Sequence, residues 1–264
     1  MKNKRLYRLG DRALVQVKGS DAFKFLQNLV TNDLSGDCEG LIYSALLTPQ
    51  GKYLFDFFII KKSPDWFLID ISSKTTANFI MRLNMYKLRS NVSIEELDVQ
   101  VILGFSFKPD DAFFDPRCIE LGWRQYIFDK SETKELPIFI EDDYDKLRVD
   151  HCIPETNIEL IKDKTFILEA GFERLSGVSF TKGCYIGQEV TARMRHKTKL
   201  QKGFAKVKIL GDSSTSKNII LFQGKVVGSI YTRVGDYGLA YLKYKYEKSG
   251  LNSGNAEVIL IERF

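Results

Sequence analysis

The most informative segment of this 264-residue chain spans residues 180–193 and reads FTKGCYIGQEVTAR. Two glycines, Gly183 and Gly187, flank Cys184, and glycine lets a backbone turn tightly or approach a ligand closely. The residues after Gly187 favour a helix, which would place Cys184 just before a helix N-terminus with Lys182 nearby. A helix N-terminus and a lysine side chain each stabilise a thiolate, so the segment predicts a reactive thiol. The alternative interpretation is a small buried cysteine in a tight turn.

The same segment carries a family resemblance. Lys182-Gly183-Cys184-Tyr185-x-Gly187-Gln188-Glu189, followed by Arg193, resembles the K-G-C-[FY]-x-G-Q-E signature of the YgfZ-type folate-binding proteins. That family is related to the glycine-cleavage T-protein and supports iron–sulfur cluster assembly or repair and, in bacteria, tRNA thio-modification. Shorter matches extend the resemblance over nearly the whole chain: Gly19-Ser20-Asp21-Ala22, Phe25-Leu26-Gln27, Thr31-Asn32-Asp33, Pro49-Gln50-Gly51-Lys52, Leu88-Arg89 and Ile153-Pro154-Glu155.

The resemblance implies an α+β fold of the T-protein-like, folate-binding type over residues 1–197, followed by a small C-terminal β-barrel over residues 198–264. The residue pattern agrees with both parts. Alternating apolar residues and turn signals predict strands at 13–17, 41–47, 53–60, 66–71, 99–105 and 123–128, and mostly loop from 154 to 183. Ser20 is the predicted N-cap of a first helix, and a second helix begins near Ser73. Short, closely spaced strands after residue 203 are typical of a barrel.

The resemblance also implies a ligand, tetrahydrofolate or a one-carbon derivative of it. Asp56 falls where T-proteins place an acidic residue near the reactive folate nitrogen, and with Cys184 and Lys182 it forms the predicted catalytic set. Asp56 has an alternative interpretation as a satisfied residue on a polar strand face. The other expected folate contacts fall in two segments: Trp123, Arg124, Tyr144, Arg148 and Asp150.

These contacts have different predicted roles. Trp123 and Tyr144 are candidates for stacking on the pterin ring, although both are more often core residues. Arg148 and Asp150 lie where T-proteins carry an R-L-E segment, so Asp150 is a candidate partner of the pterin. Arg124 stands where T-proteins have a ligand-binding acid. This departure predicts a pterin site that differs from the ancestral one.

Several common chemistries are excluded by the sequence. It contains no G-x-G-x-x-G, P-loop, G-x-S-x-G or H-E-x-x-H motif. Four cysteines without a C-x-x-C pair, and two histidines, predict no metal site and no disulfide framework. Neither an apolar run of membrane-spanning length nor a signal peptide is visible. The expected location is the cytoplasm of a bacterium or, for an organellar protein, the mitochondrial matrix.

Charge adds little to the choice of partner. The 39 basic and 34 acidic residues give a net charge of +5. A basic run could hold a polyglutamyl tail or RNA phosphates, but no aromatic residue interleaves it, so nucleic acid is weakly supported. The run consists of Arg193, Arg195, His196, Lys197, Lys199 and Lys202. The expected partners are folate and iron–sulfur client or assembly proteins, with no membrane.

The leading hypothesis is a tetrahydrofolate-binding accessory protein of iron–sulfur cluster assembly or repair, with Cys184 as its essential thiol. Cys184 would ligate a transient cluster, exchange a sulfur species or accept a one-carbon adduct. A single thiol cannot hold a cluster by the usual four-cysteine scheme, so a partner is required. The alternative is a folate-dependent aminomethyltransferase or other one-carbon transferase in which Asp56 acts on the reacting nitrogen. A binding scaffold without chemistry is a third option.

Overall fold

The computed structural model describes residues 6–36, 39–137, 141–197, 200–212, 218–246 and 250–263. Two antiparallel sheets form the first part of the chain and a closed barrel forms the last part. The strands of the first part are β1 (Leu6–Leu9), β2 (Arg12–Lys18), β3 (Ile42–Leu47), β4 (Tyr53–Ser63), β5 (Trp66–Ser72), β6 (Ser93–Leu97), β7 (Gln100–Gly104), β8 (Phe113–Phe114) and β9 (Trp123–Ile127). The helices are α1 (Ala22–Gln27), α2 (Thr76–Lys87), α3 (Glu141–Asp150) and α4 (Gln188–Lys197).

The central sheet has the strand order β3-β4-β5-β2-β6 and is buried on both faces. Successive residues of a strand point to opposite faces, and β4 shows this directly. Phe57 packs with Phe79 of α2 in one apolar cluster, whereas Phe58 packs with Tyr43 and Phe172 in the other. Asp56 shares its face with Phe58, which directs its carboxylate into the second cluster.

The smaller sheet has the order β1-β7-β9-β8, and β9 brings Trp123 and Arg124 against the rest of the fold. Short 3-10 turns occur at Ile119–Leu121, Lys130–Thr133 and Tyr244–Tyr246. Between α3 and α4 the described chain runs mostly as loop, as predicted. No helix among the described residues is both long enough and apolar enough to cross a membrane.

The C-terminal part is a closed barrel with the strand order β10-β13-β12-β11-β14-β15. Closure leaves no unpaired strand edge. Its core contains Val207, Ile230 and Ala240. The strands are β10 (Lys202–Leu210), β11 (Ile219–Phe222), β12 (Lys225–Val234), β13 (Tyr237–Lys243), β14 (Leu251–Ser253) and β15 (Ala256–Arg263).

Most predicted elements are confirmed, with local corrections. Strands β1, β6, β8 and β14 are additional to those predicted. The second helix begins at Thr76 rather than near Ser73, and it buries Phe79 and Leu83. Ser20 is not the N-cap of α1: that position is Asp21, whose carboxylate accepts the backbone N–H of Asn91 (2.7 Å) instead of capping the helix.

Candidate functional site

The signature forms a loop that leads directly into α4. Gly187 adopts a left-handed backbone conformation (φ 84°), and α4 begins at the next residue. The backbone N–H of Gln188 donates to the carbonyl of Tyr185 (3.2 Å), and the hydroxyl of Thr191 donates to the carbonyl of Gly187 (3.1 Å). Tyr185 is buried. The predicted helix after Gly187 is confirmed, and the loop before it is locally ordered by these bonds.

The loop packs on the turn between β3 and β4. A Cβ atom on Gly187 would lie 2.6 Å from the carbonyl oxygen of Thr48 and 3.1 Å from the Cα of Gly51. Conversely, a Cβ atom on Gly51 would lie 2.9 Å from the Cβ of Val190. Real Cβ atoms do not sit this close to such neighbours, so both positions require glycine. The Pro49-Gln50-Gly51-Lys52 turn and the signature therefore form one structural unit.

Lys182 anchors the loop on its other side. Its buried ammonium group donates to the carbonyls of Gln27 (2.8 Å), Val30 (2.7 Å) and Asn32 (2.8 Å), at and beyond the end of α1. Burial lowers the pKa of Lys182 to about 8, an effect that the nearby Asp33 carboxylate opposes. Three carbonyls use the three N–H donors of the ammonium group. Lys182 is thus directed at α1 rather than at Cys184, and it holds the loop in place.

Cys184 is exposed to solvent. This rules out its alternative interpretation as a small buried hydrophobe. The neighbouring Gly183 is equally open, since a Cβ atom there would meet no atom within 4 Å. Among the cysteines that the structure describes, Cys152 is buried and Cys118 is half-buried; Cys38 lies outside the described residues. The signature therefore presents one open thiol on an anchored loop.

A separate cavity of about 250 Å³ lies between β1–β2, β9 and α3. It brings together three of the predicted folate contacts, Arg124, Tyr144 and Arg148. Sequence reasoning did not assign its other polar side chains, which include Arg12 and Glu155. No residue of the signature is among the described residues that line it. The cavity and the thiol are therefore two distinct features of the fold.

The arginines around the cavity are held by buried carboxylates. Asp70 accepts from Arg12 (2.6 Å) and lies 3.3 Å from Arg124, while the hydroxyl of Tyr126 also donates to it (2.9 Å). Charge-assisted hydrogen bonds of this kind fix the guanidinium planes. Within the described residues, the Nε–H of Arg124 has no hydrogen-bond acceptor.

Tyr144 is oriented by a second buried pair. Arg117 makes two hydrogen bonds to Asp115 (3.0 and 2.8 Å) and also donates to the hydroxyl oxygen of Tyr144 (3.0 Å). Burial raises the pKa of Tyr144, against the effect of Arg117. The phenol is therefore neutral and its ring position is fixed.

Glu155, like Arg12, is a cavity residue to which sequence reasoning assigned no role. It follows α3 and is marked in the sequence only as part of the Ile153-Pro154-Glu155 match. Burial raises the pKa of its carboxyl group, and the positive charges of Arg117 and Arg148 only partly oppose this. Its place beside these arginines depends on a tertiary contact, which no local pattern in the sequence reports.

Asp56, the third member of the predicted catalytic set, does not line the cavity. It is buried, and its carboxylate accepts hydrogen bonds from the hydroxyls of Tyr43 (3.0 Å), Tyr53 (2.7 Å) and Thr156. This fits its interpretation as a satisfied strand residue. Its hydrogen-bond donor Thr156 follows the cavity residue Glu155 in the chain, and the Asp56 charge contributes to the raised pKa of Glu155.

Trp123 and Asp150 are both engaged outside the cavity. Trp123 is a core residue whose indole N–H donates to the carbonyl of Ser106 (3.0 Å). Asp150 forms an ion pair with Lys206 of the barrel (2.8 Å). Neither side chain is in a position to contact a ligand in the cavity, because the ring is enclosed in the core and the carboxylate is paired with the barrel.

The basic run lies away from the cavity. Arg193, Arg195 and His196 are exposed, and Arg195 pairs with Glu173 (2.8 Å). Its guanidinium also lies 3.8 Å from the centre of the Phe180 ring. Lys199 and the side chain of Lys197 are outside the described residues. None of the described members of the run lines the cavity, so the run gives no support for a folate-tail site there.

The sequence has clear relatives. A family model described as "CAF17, C-terminal beta-barrel domain" matches residues 201–261. The iron-sulfur cluster assembly factor IBA57, mitochondrial, of Mus musculus is 31% identical to this chain, over 97% of the chain and 82% of the mouse protein. The Homo sapiens protein of the same name is 30% identical, over 89% of the chain and 76% of the human protein.

A solved structure supports the fold independently. The glycine cleavage system aminomethyltransferase T from Bartonella henselae superposes with a TM-score of 0.77 at 12% identity, covering 98% of this chain and 85% of that one. This confirms the expected α+β fold of the T-protein type with its C-terminal barrel. The extent of the match to the mouse and human proteins confirms the expected YgfZ-type relationship. The chain belongs to the family of the iron–sulfur cluster assembly factor IBA57.

Proposed function

We propose that this protein acts in iron–sulfur cluster assembly, as the names of its relatives state for them. The observation that carries this proposal is the exposed thiol of Cys184 on an anchored loop. An exposed sulfur is accessible to a protein partner, and a cluster is held by several thiolates. Cys184 would supply one ligand to a cluster in transit, and a cluster-carrying assembly protein would supply the others.

The test is genetic complementation. In cells that lack this gene, the protein is expected to restore the activity of an iron–sulfur enzyme in extracts, and Cys184→Ser is expected to restore none. Thr181→Ser is the matched control, because Thr181 is exposed in the same loop and lies just outside the signature. Restoration by Cys184→Ser equal to that of the unmodified protein would refute the role of the thiol.

We also propose that the cavity binds the pteridine of a reduced folate. The exposed edge of a pterin has N–H donors beside a carbonyl acceptor. The cavity offers an acceptor for the N–H groups and donors for the carbonyl. The carboxyl group of Glu155 accepts, and the guanidinium groups of Arg12 and Arg124 donate. Tyr144 adds an aromatic surface. A volume of about 250 Å³ suits a small ring system, and the rest of a folate would extend towards solvent.

Calorimetric titration with tetrahydrofolate separates this proposal from the first. Glu155→Gln is expected to weaken binding by about 10-fold or more, equivalent to the loss of about 1.4 kcal/mol. Cys184→Ser is expected to bind as the unmodified protein does. Absence of binding by the unmodified protein, or equal binding by Glu155→Gln, would refute the folate site while leaving the assembly role intact.

The one-carbon transferase alternative requires Asp56 to reach the reacting atoms. Its carboxylate is committed to three hydroxyl groups, and it is not among the described lining residues. This arrangement favours the assembly role. The mouse and human relatives are mitochondrial by name, which agrees with the organellar alternative of the two expected locations. The exposed basic residues do not by themselves support a nucleic-acid partner.

A further inference from the structure

A second group of reactive side chains lies where α3 meets the 3-10 turn at Ile119–Leu121. Cys118 precedes this turn, Glu120 lies within it, and His151 directly follows α3. The thiol sulfur, a carboxylate oxygen and an imidazole nitrogen of these residues all lie within 4.8 Å of one another. Two segments that are distant in the sequence therefore place a sulfur, an oxygen and a nitrogen donor around one point.

The three donors are available for a ligand. The Cys118 thiol donates a hydrogen bond to the Glu120 carboxylate (2.9 Å). Within the described part of the chain, the Glu120 carboxylate forms no ion pair, and the imidazole of His151 makes no side-chain hydrogen bond. Cys118 and His151 are half-buried, whereas Glu120 is exposed. The cluster thus opens to solvent on one side and is supported by the core on the other.

The distances suit a small metal ion after a modest movement. Zinc bonds to sulfur, nitrogen and carboxylate oxygen are roughly 2.0–2.3 Å long, so tetrahedral ligands lie roughly 3.3–3.8 Å apart. Closing the cluster from 4.8 Å to this spacing requires a shift of about 1 Å. Glu120 can supply most of it, because its side chain is exposed and is hydrogen-bonded to another member of the cluster, Cys118.

The donor types select the class of metal. Thiolate and imidazole favour zinc and neighbouring transition metals, whereas magnesium and calcium prefer oxygen donors alone. We propose that Cys118, Glu120 and His151 bind a divalent transition-metal ion of the zinc class. Three protein ligands leave the fourth tetrahedral position open to water or to another donor. The site does not depend on the proposed function, since none of its residues belongs to the signature or lines the cavity.

The experiment is an absorption titration with Co²⁺, in which a bound thiolate gives a sulfur-to-cobalt charge-transfer band. It is performed in a Cys38→Ser/Cys184→Ser background, which removes the exposed thiol and the cysteine outside the described residues. We expect one equivalent of Co²⁺ to produce the band, and Zn²⁺ but not Mg²⁺ to abolish it.

Variants assign the ligands. Cys118→Ser is expected to lose the band and to weaken Co²⁺ binding by about 100-fold. Glu120→Gln keeps the fold because the residue is exposed, and it is expected to weaken binding by about 10-fold with the band retained. His151→Gln is expected to weaken Co²⁺ binding by a factor between those of the other two variants. A band that persists in Cys118→Ser, unchanged affinity in Glu120→Gln, or displacement by Mg²⁺ would each overturn the proposal.

Discussion

Gly187 and Gly51 pack backbone against backbone, each with positive φ, at the point where the signature loop meets the β3–β4 turn. The space between them admits no side chain on either residue. Because the same hairpin continues into Asp56 and the central sheet, the contact ties the loop of Cys184 to the most deeply buried part of the fold. The position of the thiol is therefore set by the core of the protein.

Gly187→Ala is expected to destabilise the protein by about 2–4 kcal/mol. A left-handed backbone costs a residue with a side chain roughly 1–2 kcal/mol, and overpacking against Thr48 adds a similar amount. Urea unfolding measures the loss. Gly183→Ala is the matched control, because no atom lies near its Cβ position, and its effect is expected to stay within about 0.5 kcal/mol. Equal stability of the two variants would contradict the packing argument.

Lys182→Met is expected to destabilise the protein by about 2–4 kcal/mol, because it removes charge-assisted hydrogen bonds to three carbonyls while keeping the aliphatic stem. Limited proteolysis is expected to cut near residues 180–186 sooner than in the unmodified protein. Lys24→Met, on the exposed side of α1, serves as the control. An intact loop in Lys182→Met would contradict the anchoring role of Lys182.

Arg148→Met is expected to cost about 3–5 kcal/mol, since it leaves Glu159 buried without its counter-charge. Arg148 also donates to Thr232 (3.2 Å) and so joins α3 to the barrel. In the double variant Arg148→Met/Glu159→Gln, the loss in free energy of unfolding is expected to be smaller than the sum of the losses in the two single variants. Denaturant unfolding of the unmodified protein and the three variants measures these losses. Additive losses would mean that the pair contributes no coupling.

Glu155→Gln is expected to change the pH dependence of stability. Burial raises the pKa of Glu155 in the folded protein, so above its ordinary value of 4.5 the folded state binds more protons than the unfolded state. Through that window, up to the raised folded pKa, Glu155 makes the free energy of unfolding fall as pH rises. Glu155→Gln removes this contribution. Unfolding curves at several pH values test it, with Glu189→Gln as control; parallel profiles for Glu155→Gln and the unmodified protein would contradict it.

Sequence reasoning located the strands whose apolar residues alternate and whose ends carry turn residues, such as β2 and β4. It missed β6, whose sequence SIEEL is charged and half-exposed at a sheet edge, because pairing rather than periodicity defines such a strand. The barrel was recognisable because its short strands are separated by glycine-containing turns.

The candidate site was predictable only in part. The signature identified Cys184 and its loop, but the acceptors of Lys182 lie in a segment far away in the sequence, so its role emerged only from tertiary contacts. Arg124, Tyr144 and Arg148 were found through the resemblance, whereas Glu155 lies in the Ile153-Pro154-Glu155 match without a role assigned to it there. The grouping of Cys118 with His151 was missed, since rules for metal sites depend on short ligand spacing.

The anchoring of the Cys184 loop has a kinetic consequence. The sulfur occupies one place before a partner arrives, so the conformational entropy of that segment has already been lost during folding and not during complex formation. Association can then proceed at a rate governed by encounter and orientation. Partner proteins are then distinguished by how well their surfaces fit around a pre-organised sulfur atom. A substitution that loosens the loop should slow association even when the thiol itself is unchanged.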